Sequence, residues 1–417
     1  MTTGARGFGN RHCTVVVGAG HGGGNLVSLL RQYGYDGGVV MFGDEPHPPY
    51  HRPPLSKKFL SGDLEQLLRP VDFYRSQNIE IRLGTDVVSV DRVNQAIVTS
   101  TGEAIGYQYL VLATGAEARQ LRVPGAELNN IVSLRTLDDA HGLRDRIAKA
   151  RRLVIIGAGY IGLEVAAEAV ANSDTKVVVL EREQRILARV ASATFSDVME
   201  KQHARRGVEI RTGEQVVGFV GDDKGAVCSV QLNGGEELDC DVVLVGIGAT
   251  PREKLAKDCG IRCDNGITVD ESGRTNDPAI FAIGDVTKRP MMGVADTIRM
   301  ESIPSAVEQA KCVASVIAGR PLPIREVPWF WSDQFDLQIK IAGVVPATGT
   351  TIVRGDADTR KFALFHLNDD DSVIAAETSN NPSLFMAAKK AISQQAKVHL
   401  DLLGDESVDI KRCFEFH

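Results

Sequence analysis

A run of β-branched residues, Thr14-Val15-Val16-Val17, leads straight into Gly18-Ala19-Gly20-His21-Gly22-Gly23. An unbroken run, rather than an alternating one, predicts a strand buried on both faces of a parallel sheet. Leu26, Leu29 and Leu30 then recur at helical spacing across 25–32. A second apolar run, Gly38–Phe42, ends in Gly43-Asp44-Glu45. Strand, glycine turn, helix and strand in that order make a βαβ unit.

The same grammar returns further on. Leu153-Val154-Ile155-Ile156 precedes Gly157-Ala158-Gly159-Tyr160-Ile161-Gly162, a helix is predicted over 163–171, and a strand over 176–180 ends at Glu181. Two more buried runs, 109–112 before Ala113-Thr114-Gly115 and 241–245 before Gly246-Ile247-Gly248, each follow about 90 residues after their own glycine loop. The chain therefore contains two related α/β modules of the Rossmann type. A late strand, 278–285, ends in Gly284-Asp285 and closes the first module, and a helix over 305–318 follows it. The Pro-rich stretch 319–328 marks a boundary. Beyond it, short strands at 337–342, 350–353, 362–366 and 373–377 and a helix over 383–397 predict a C-terminal α+β domain. The expected division is 1–118 with 247–325, then 119–246, then 326–417.

Composition narrows the classes. There are 41 glycines among 417 residues, about one in ten against a usual ~7%, with no Gly-X-Y period. The formal charge of −7 argues against a general nucleic-acid binder. No apolar run approaches the ~20 residues of a membrane span. The first residues lack the apolar core of a secretory signal. Seven scattered cysteines, with no CxxC, predict neither a disulfide framework nor a metal site, and a reducing cytoplasm is the expected home.

A lone GxGxxG says little. It carries weight when it follows a strand, opens a helix and has an acid about 20 residues on. Both copies here meet these conditions, through Gly18, Gly20 and Gly23 and through Gly157, Gly159 and Gly162. The glycines let the backbone approach a diphosphate, whose charge the free N–H groups of the helix N-terminus hold. Asp44 or Glu45 in the first module and Glu181 in the second would accept ribose hydroxyls. Two such modules predict one flavin and one nicotinamide. The late Gly284-Asp285 pair suits flavin ribityl hydroxyls, which puts FAD in the first module and NAD in the second. Glu181 favours NADH because a carboxylate repels a 2′-phosphate, although Arg182 and Arg185 lie nearby in the chain. In Pro46–Leu60, Arg52 is a candidate for the FAD diphosphate and Lys57 for the flavin ring. Glu164, in the first turn of the second helix, is the candidate partner of Lys57.

Several motifs then identify a family resemblance: Arg52-Pro53-Pro54-Leu55-Ser56-Lys57, Leu112-Ala113-Thr114-Gly115, Gly159-Tyr160-Ile161-Gly162-Leu163-Glu164-Val165-Ala166, Asp264-Asn265-Gly266-Ile267 and Pro328-Trp329-Phe330-Trp331-Ser332-Asp333-Gln334. Over nearly its whole length the chain resembles the FAD-dependent, NADH-linked ferredoxin reductases of bacterial oxygenase systems. That resemblance implies a glutathione-reductase-like arrangement of the two nucleotide domains. It implies FAD contacts at Gly22, Asp44, Lys57, Val87, Arg135, Asp285 and Ile303, with Ala113, Thr114 and Gly115 in the same set. NADH contacts are implied at Gly159, Tyr160, Ile161, Glu181 and Gly248, and a flavin-proximal tryptophan at Trp331. The family pattern is departed from at Ile303, where a valine is common. Glu117 stands in a segment, 115–119, that has lost a basic residue and a proline, which is expected to alter the domain hinge. The tail after Ile410 is short for the family.

The implied reaction is hydride transfer from NADH to FAD, with reacting atoms about 3–3.5 Å apart. Single-electron delivery to a 2Fe–2S ferredoxin follows. The ferredoxin feeds either a haem-thiolate monooxygenase or a Rieske dioxygenase. An acidic ferredoxin needs a local basic face, for which the resemblance nominates Lys311, Lys340, Lys389 and Lys411. A monomer is the favoured oligomeric state. Two other classes compete. A disulfide reductase or NADH oxidase needs a redox cysteine on the helix after the first ribose acid, and 44–68 contains none. A non-catalytic, NADH-responsive scaffold would keep both cofactors and lack the ferredoxin.

Overall fold

The computed structural model describes residues 13–357 and 359–416. They form two compact units. One is built from residues up to His51, Glu65–Glu117 and Thr250–Glu326, the other from Arg52–Leu64, Ala118–Ala249 and the chain from Val327 on.

The first unit is organised on a five-stranded parallel sheet. Its order is Ile280–Ala282, Tyr109–Leu112, Cys13–Val17, Gly38–Phe42, Ile79–Arg82. Alternate residues go to opposite faces. Val16, Met41, Val111 and Phe281 pack against Leu26, Val27 and Leu30 of the helix His21–Gln32 and against Ala310, Val313 and Ala314 of the helix Ile303–Ile317. Val15, Val17, Val40 and Leu110 face the other way, toward Ile97 and Tyr107. Both faces are covered, which is why the strands read as continuous apolar runs. Each buried Leu or Val stabilises the unit by about 1.5–3 kcal/mol, so truncating Leu110 to alanine should cost about 2–5 kcal/mol. The first helix begins at His21, four residues before its apolar periodicity, because the glycine motif itself forms the opening turn.

The second unit repeats the plan with the parallel order Glu209–Thr212, Lys176–Glu181, Arg152–Ile156, Val242–Val245, Ile131–Val132. The helix Tyr160–Asn172 lies on it with Leu163, Val165, Ala166 and Ala169 fully buried. Thr136 and Asp139 form a reciprocal cap that starts the helix Leu137–Ile147. The same unit contains an antiparallel sheet in the order Trp329–Gln334, Leu337–Gly343, Val373–Ser379, Lys361–Leu367, Thr350–Asp356. The helix Pro382–Ser393 packs on this sheet. Asn381 caps it by accepting from the Leu384 N–H. This helix stops short of the expected 397, because Gln395 takes φ +49 and Lys397–Val398 pairs as a strand with Phe414–Glu415. Trp329–Gln334, noted in the sequence only as a motif, is one of the two edge strands of the sheet.

Candidate functional site

In the first unit Gly18 has φ +117, and a Cβ there would stand 2.1 Å from the Ala113 carbonyl oxygen. A Cβ on Gly23 would stand 2.0 Å from the Gly18 oxygen. Both positions therefore exclude any side chain. Gly20 is the N-cap of the following helix and gives it no side-chain cap. The first-turn N–H groups are thus left to a ligand. Gly22 faces Ile283, which would lie 3.4 Å from an added Cβ. The Ala113 N–H bonds to the Val17 oxygen at 2.7 Å, and Gly115 has φ +68. Asp285 lies in the 3₁₀ turn Gly284–Val286, whose Gly284 N–H donates to Gln309 Oε1 at 3.0 Å. Ile303 is the first residue of its helix, after the cap Ser302. Val87 begins the strand Val87–Asp91. Lys311 pairs with Glu326 at 3.1 Å.

The two acids left open by the sequence are separated by their partners. Tyr50 donates its hydroxyl to Glu45 Oε2 at 2.6 Å. Asp44 is exposed and accepts from Arg252 Nη1 at 2.6 Å. Partial burial opposes ionisation of Asp44, but the hydrogen bond and charge of Arg252, together with the Asp44 and Glu45 N–H groups, outweigh it and hold the carboxyl below its ordinary range. Neither acid occupies the register position of Glu181. Val17 pairs with Phe42 and Ile156 with Leu180, so the counterpart of Glu181 is Gly43. A side chain there is excluded, since its Cβ would meet that of Ala19 at 2.7 Å.

In the second unit the glycine turn has the same construction. Gly157 has φ +103 and its Cβ would stand 2.5 Å from the Gly246 oxygen; that of Gly162 would stand 2.2 Å from the Gly157 oxygen. Around Gly159 an added Cβ meets nothing within 4 Å. The cradle therefore has open space at the N-terminus of a helix with no side-chain cap, which fits a dinucleotide diphosphate. Glu181 closes one side: its Oε2 accepts from the Ala158 N–H at 2.8 Å and its Oε1 from the Glu183 N–H at 2.9 Å. Ile161 is exposed and Tyr160 is half-buried. Arg185 is committed to Ala191, Ala188 and Ser196, and Arg182 pairs with Glu183. Arg189, which the sequence did not single out, lies beside Gly248; its Nη2 is 3.2 Å from where a Gly248 Cβ would be.

The same unit assembles Lys57 and Glu164. Lys57 Nζ lies 2.9 Å from Glu164 Oε1, with side-chain exposures of 14% and 3%. Glu164 also accepts the Ser56 hydroxyl on Oε2 and the Ser332 hydroxyl on Oε1, each at 2.5 Å. Gln334 Nε2 donates to Ser332 Oγ at 3.0 Å, and Gln334 Oε1 lies 2.8 Å from His203 Nε2. Ser332 spends its proton on Glu164 and the Gln334 amide donates to Ser332. Gln334 Oε1 therefore has to accept, which assigns the proton of His203 to Nε2. Burial pushes His203 down to about 4, so the ring is neutral. Ser332, Gln334 and His203 were missed by the sequence reading. The available signal was period: Phe330, Ser332 and Gln334 share one strand face, and Tyr160 and Glu164 share one helix face at i, i+4. Tyr160 meets Phe330 edge-on at 4.9 Å.

Arg52 Nη1 donates to the Arg135 carbonyl oxygen at 2.6 Å, and the Arg135 N–H donates to Asp139. Trp331 is on the opposite strand face with Trp329; their rings are 5.9 Å apart. Lys340 is the cross-strand partner of Trp331 and stands over the Phe385 ring, while Lys389 stands over Trp329. Lys411 is exposed in the turn Ile410–Cys413. No group able to hold a metal ion occurs among the described residues.

The family model "Pyridine nucleotide-disulphide oxidoreductase" matches residues 12–310, and "Reductase C-terminal" matches 329–414. The chain is 40% identical over 400 residues to a probable ferredoxin reductase, CtmF, of Castellaniella defragrans, covering 95% of this chain and 97% of that one. It is 40% identical over 404 residues to putidaredoxin reductase CamA of Pseudomonas putida, covering 95% of each. Its structure is similar to the crystal structure of the covalent putidaredoxin reductase–putidaredoxin complex, with a TM-score of 0.93, 38% identity, and coverage of 97% and 98%.

Proposed function

The chain belongs to the pyridine nucleotide-disulphide oxidoreductase family and, within it, to the ferredoxin reductases, and we propose that it moves reducing equivalents from NADH through FAD to a 2Fe–2S ferredoxin serving an oxygenase. The observation that carries this is the pair of glycine cradles, each opening an uncapped helix beside a carboxylate. FAD is assigned to the first cradle, in the domain 1–118 with 247–325, and NADH to the second, in 119–246.

Bound FAD supplies the chemistry that takes up two electrons together and releases them singly. The chain's own residues supply binding and electrostatics. Gly18, Gly20 and Gly23 bring backbone N–H groups to the FAD diphosphate, and Asp44 takes the ribose. Arg52 and Arg135 are assigned to the same cofactor, with Gly22, Val87, Ala113, Thr114, Gly115, Asp285 and Ile303. Gly157, Gly159, Gly162, Tyr160, Ile161 and Gly248 hold NADH. Glu181 takes its adenosine ribose, and Arg185 is tied to Ala188, Ala191 and Ser196 rather than free for a 2′-phosphate. Lys57 is assigned the positive charge that stabilises the reduced flavin ring, and Glu164 fixes its ammonium. Trp331 is assigned the aromatic contact to the flavin. Lys340 and Lys389, on one aromatic face, with Lys411 and Lys311, are assigned to an acidic ferredoxin in a transient complex.

A disulfide reductase is disfavoured by the thiols as well as by their spacing. Burial raises Cys259, and raises Cys263 to about 11, whereas a redox cysteine needs a lowered value. No helix among the described residues is long and apolar enough to cross a membrane. We propose a cytoplasmic location from the seven free cysteines, and a monomer as the oligomeric state. The deciding experiment is anaerobic NADH titration of the flavin-loaded protein, followed by a panel of purified 2Fe–2S ferredoxins. Rapid bleaching of the flavin band and reduction of a ferredoxin is expected. Slow bleaching with no ferredoxin reduced would favour a sensor instead.

A further inference from the structure

Arg252 is fastened by its main chain to one loop of the first unit and reaches with its side chain to another. Its N–H donates to the Gly115 oxygen at 3.0 Å, and its carbonyl oxygen accepts the Thr114 hydroxyl at 2.7 Å. Both partners follow the strand Tyr109–Leu112. Its Nη1 donates to Asp44 Oδ2 at 2.6 Å, and Asp44 follows the strand Gly38–Phe42. Those two strands flank Cys13–Val17, which ends at the Gly18 turn. The Arg252 side chain therefore spans three adjacent strands at their C-terminal edge, where open parallel sheets take their ligands.

Two further facts constrain its role. Arg252 and Asp44 have side-chain exposures of 39% and 44%, and ion pairs so exposed contribute little to folding. The second side of the guanidinium is drawn toward Glu117, whose Oε2 lies 3.9 Å from Nε. Glu117 is thus a second carboxylate within ion-pair distance of the guanidinium, while the hydrogen bond goes to Asp44. An ionised carboxylate offers about four acceptor positions. Arg252 uses one on Oδ2, the Asp44 and Glu45 N–H groups also bond to the carboxyl, and what is left can serve a ribose hydroxyl.

We propose that Arg252 is a positioning residue for the adenosine end of FAD: it holds the Asp44 carboxylate at the ribose and adds positive charge beside the nucleotide. This rests on the assignment of FAD to the first cradle. The test uses Arg252→Gln, Arg252→Lys, Asp44→Asn and the Asp44→Asn/Arg252→Gln pair. FAD release from the holoenzyme is followed by recovery of flavin fluorescence, and FAD and FMN are titrated into deflavinated protein. Arg252→Gln should weaken FAD about tenfold, the loss of one charge-assisted hydrogen bond. FMN, which lacks adenosine, should change less than twofold. Arg252→Lys should recover part of the loss, and the double variant should be no weaker than Asp44→Asn alone. Equal weakening of FMN and FAD, or FAD affinity within twofold of the parent, overturns the proposal. A parent protein that takes up no flavin, or an Asp44→Asn variant with parental FAD affinity, overturns the underlying FAD or ribose assignment as well.

Discussion

Replacing Glu164 by glutamine keeps the volume and removes the charge from the most enclosed ion pair of the candidate site. Lys57 Nζ lies 2.9 Å from Glu164 Oε1, an attraction of about 6 kcal/mol at an effective dielectric of about 20. Desolvation of both groups offsets much of that. The larger consequence is what remains after substitution, a lysine with 14% exposure facing a neutral amide. One carboxylate oxygen also becomes an NH₂ group directed at a donor, either Lys57 and Ser332 on one side or Ser56 on the other. Removing one partner of a buried pair costs about 3–5 kcal/mol, which lowers Tm by on the order of 10 °C for a unit of this size. A Lys57→Met/Glu164→Leu pair leaves no charge behind and should recover most of that loss. Urea unfolding of the parent, Lys57→Met, Glu164→Leu and the double variant completes the cycle, and stopped-flow flavin reduction by NADH, slower in both variants that lack Lys57, reports on function. A single variant within about 1 kcal/mol of the parent, or a coupling energy near zero, would refute the claim that the pair is mutually dependent.

Glu181→Ala removes the acceptor assigned to the ribose. It should raise the KM for NADH about tenfold while leaving that for NADPH nearly unchanged, as steady-state kinetics with both nucleotides will show. His203 is neutral when folded, with a value of about 4 against ~6.5 when unfolded. The unfolded chain therefore binds more protons between those limits, and stability falls as pH drops from about 6.5 to 4, by about 3 kcal/mol in all. Urea midpoints over that range should flatten in His203→Gln. Charge reversal at Lys340 or Lys389 should raise the ferredoxin KM about tenfold, most at low salt, without altering NADH–ferricyanide activity. Unchanged ferredoxin kinetics would move the docking face elsewhere.

The glycine cradles and the parallel sheets were legible because their causes are local. A strand covered on both faces must be apolar at every position, and Gly18 and Gly157 need a backbone conformation that side chains oppose. The C-terminal helix end was misjudged by a few residues, because Lys397–Val398 is claimed by a strand partner, Phe414–Glu415, that local periodicity does not reveal. Lys57 and Glu164 were named as a candidate pair, but not the carboxylate's other partners, Ser56 and Ser332, or the chain through Gln334 to His203. Those depend on which face of Trp329–Gln334 meets which face of Tyr160–Asn172. Likewise Asp44 and Glu45 are equivalent in the sequence, and they differ only because Tyr50 bonds to one and Arg252 to the other. Sequence by itself determined the elements, the two nucleotide cradles and the residue types offered for chemistry, since these follow from spacing within a turn or strand. Tertiary structure alone decided the partners of each charge, because hydrogen bonds and ion pairs act over about 3 Å between segments the chain keeps far apart.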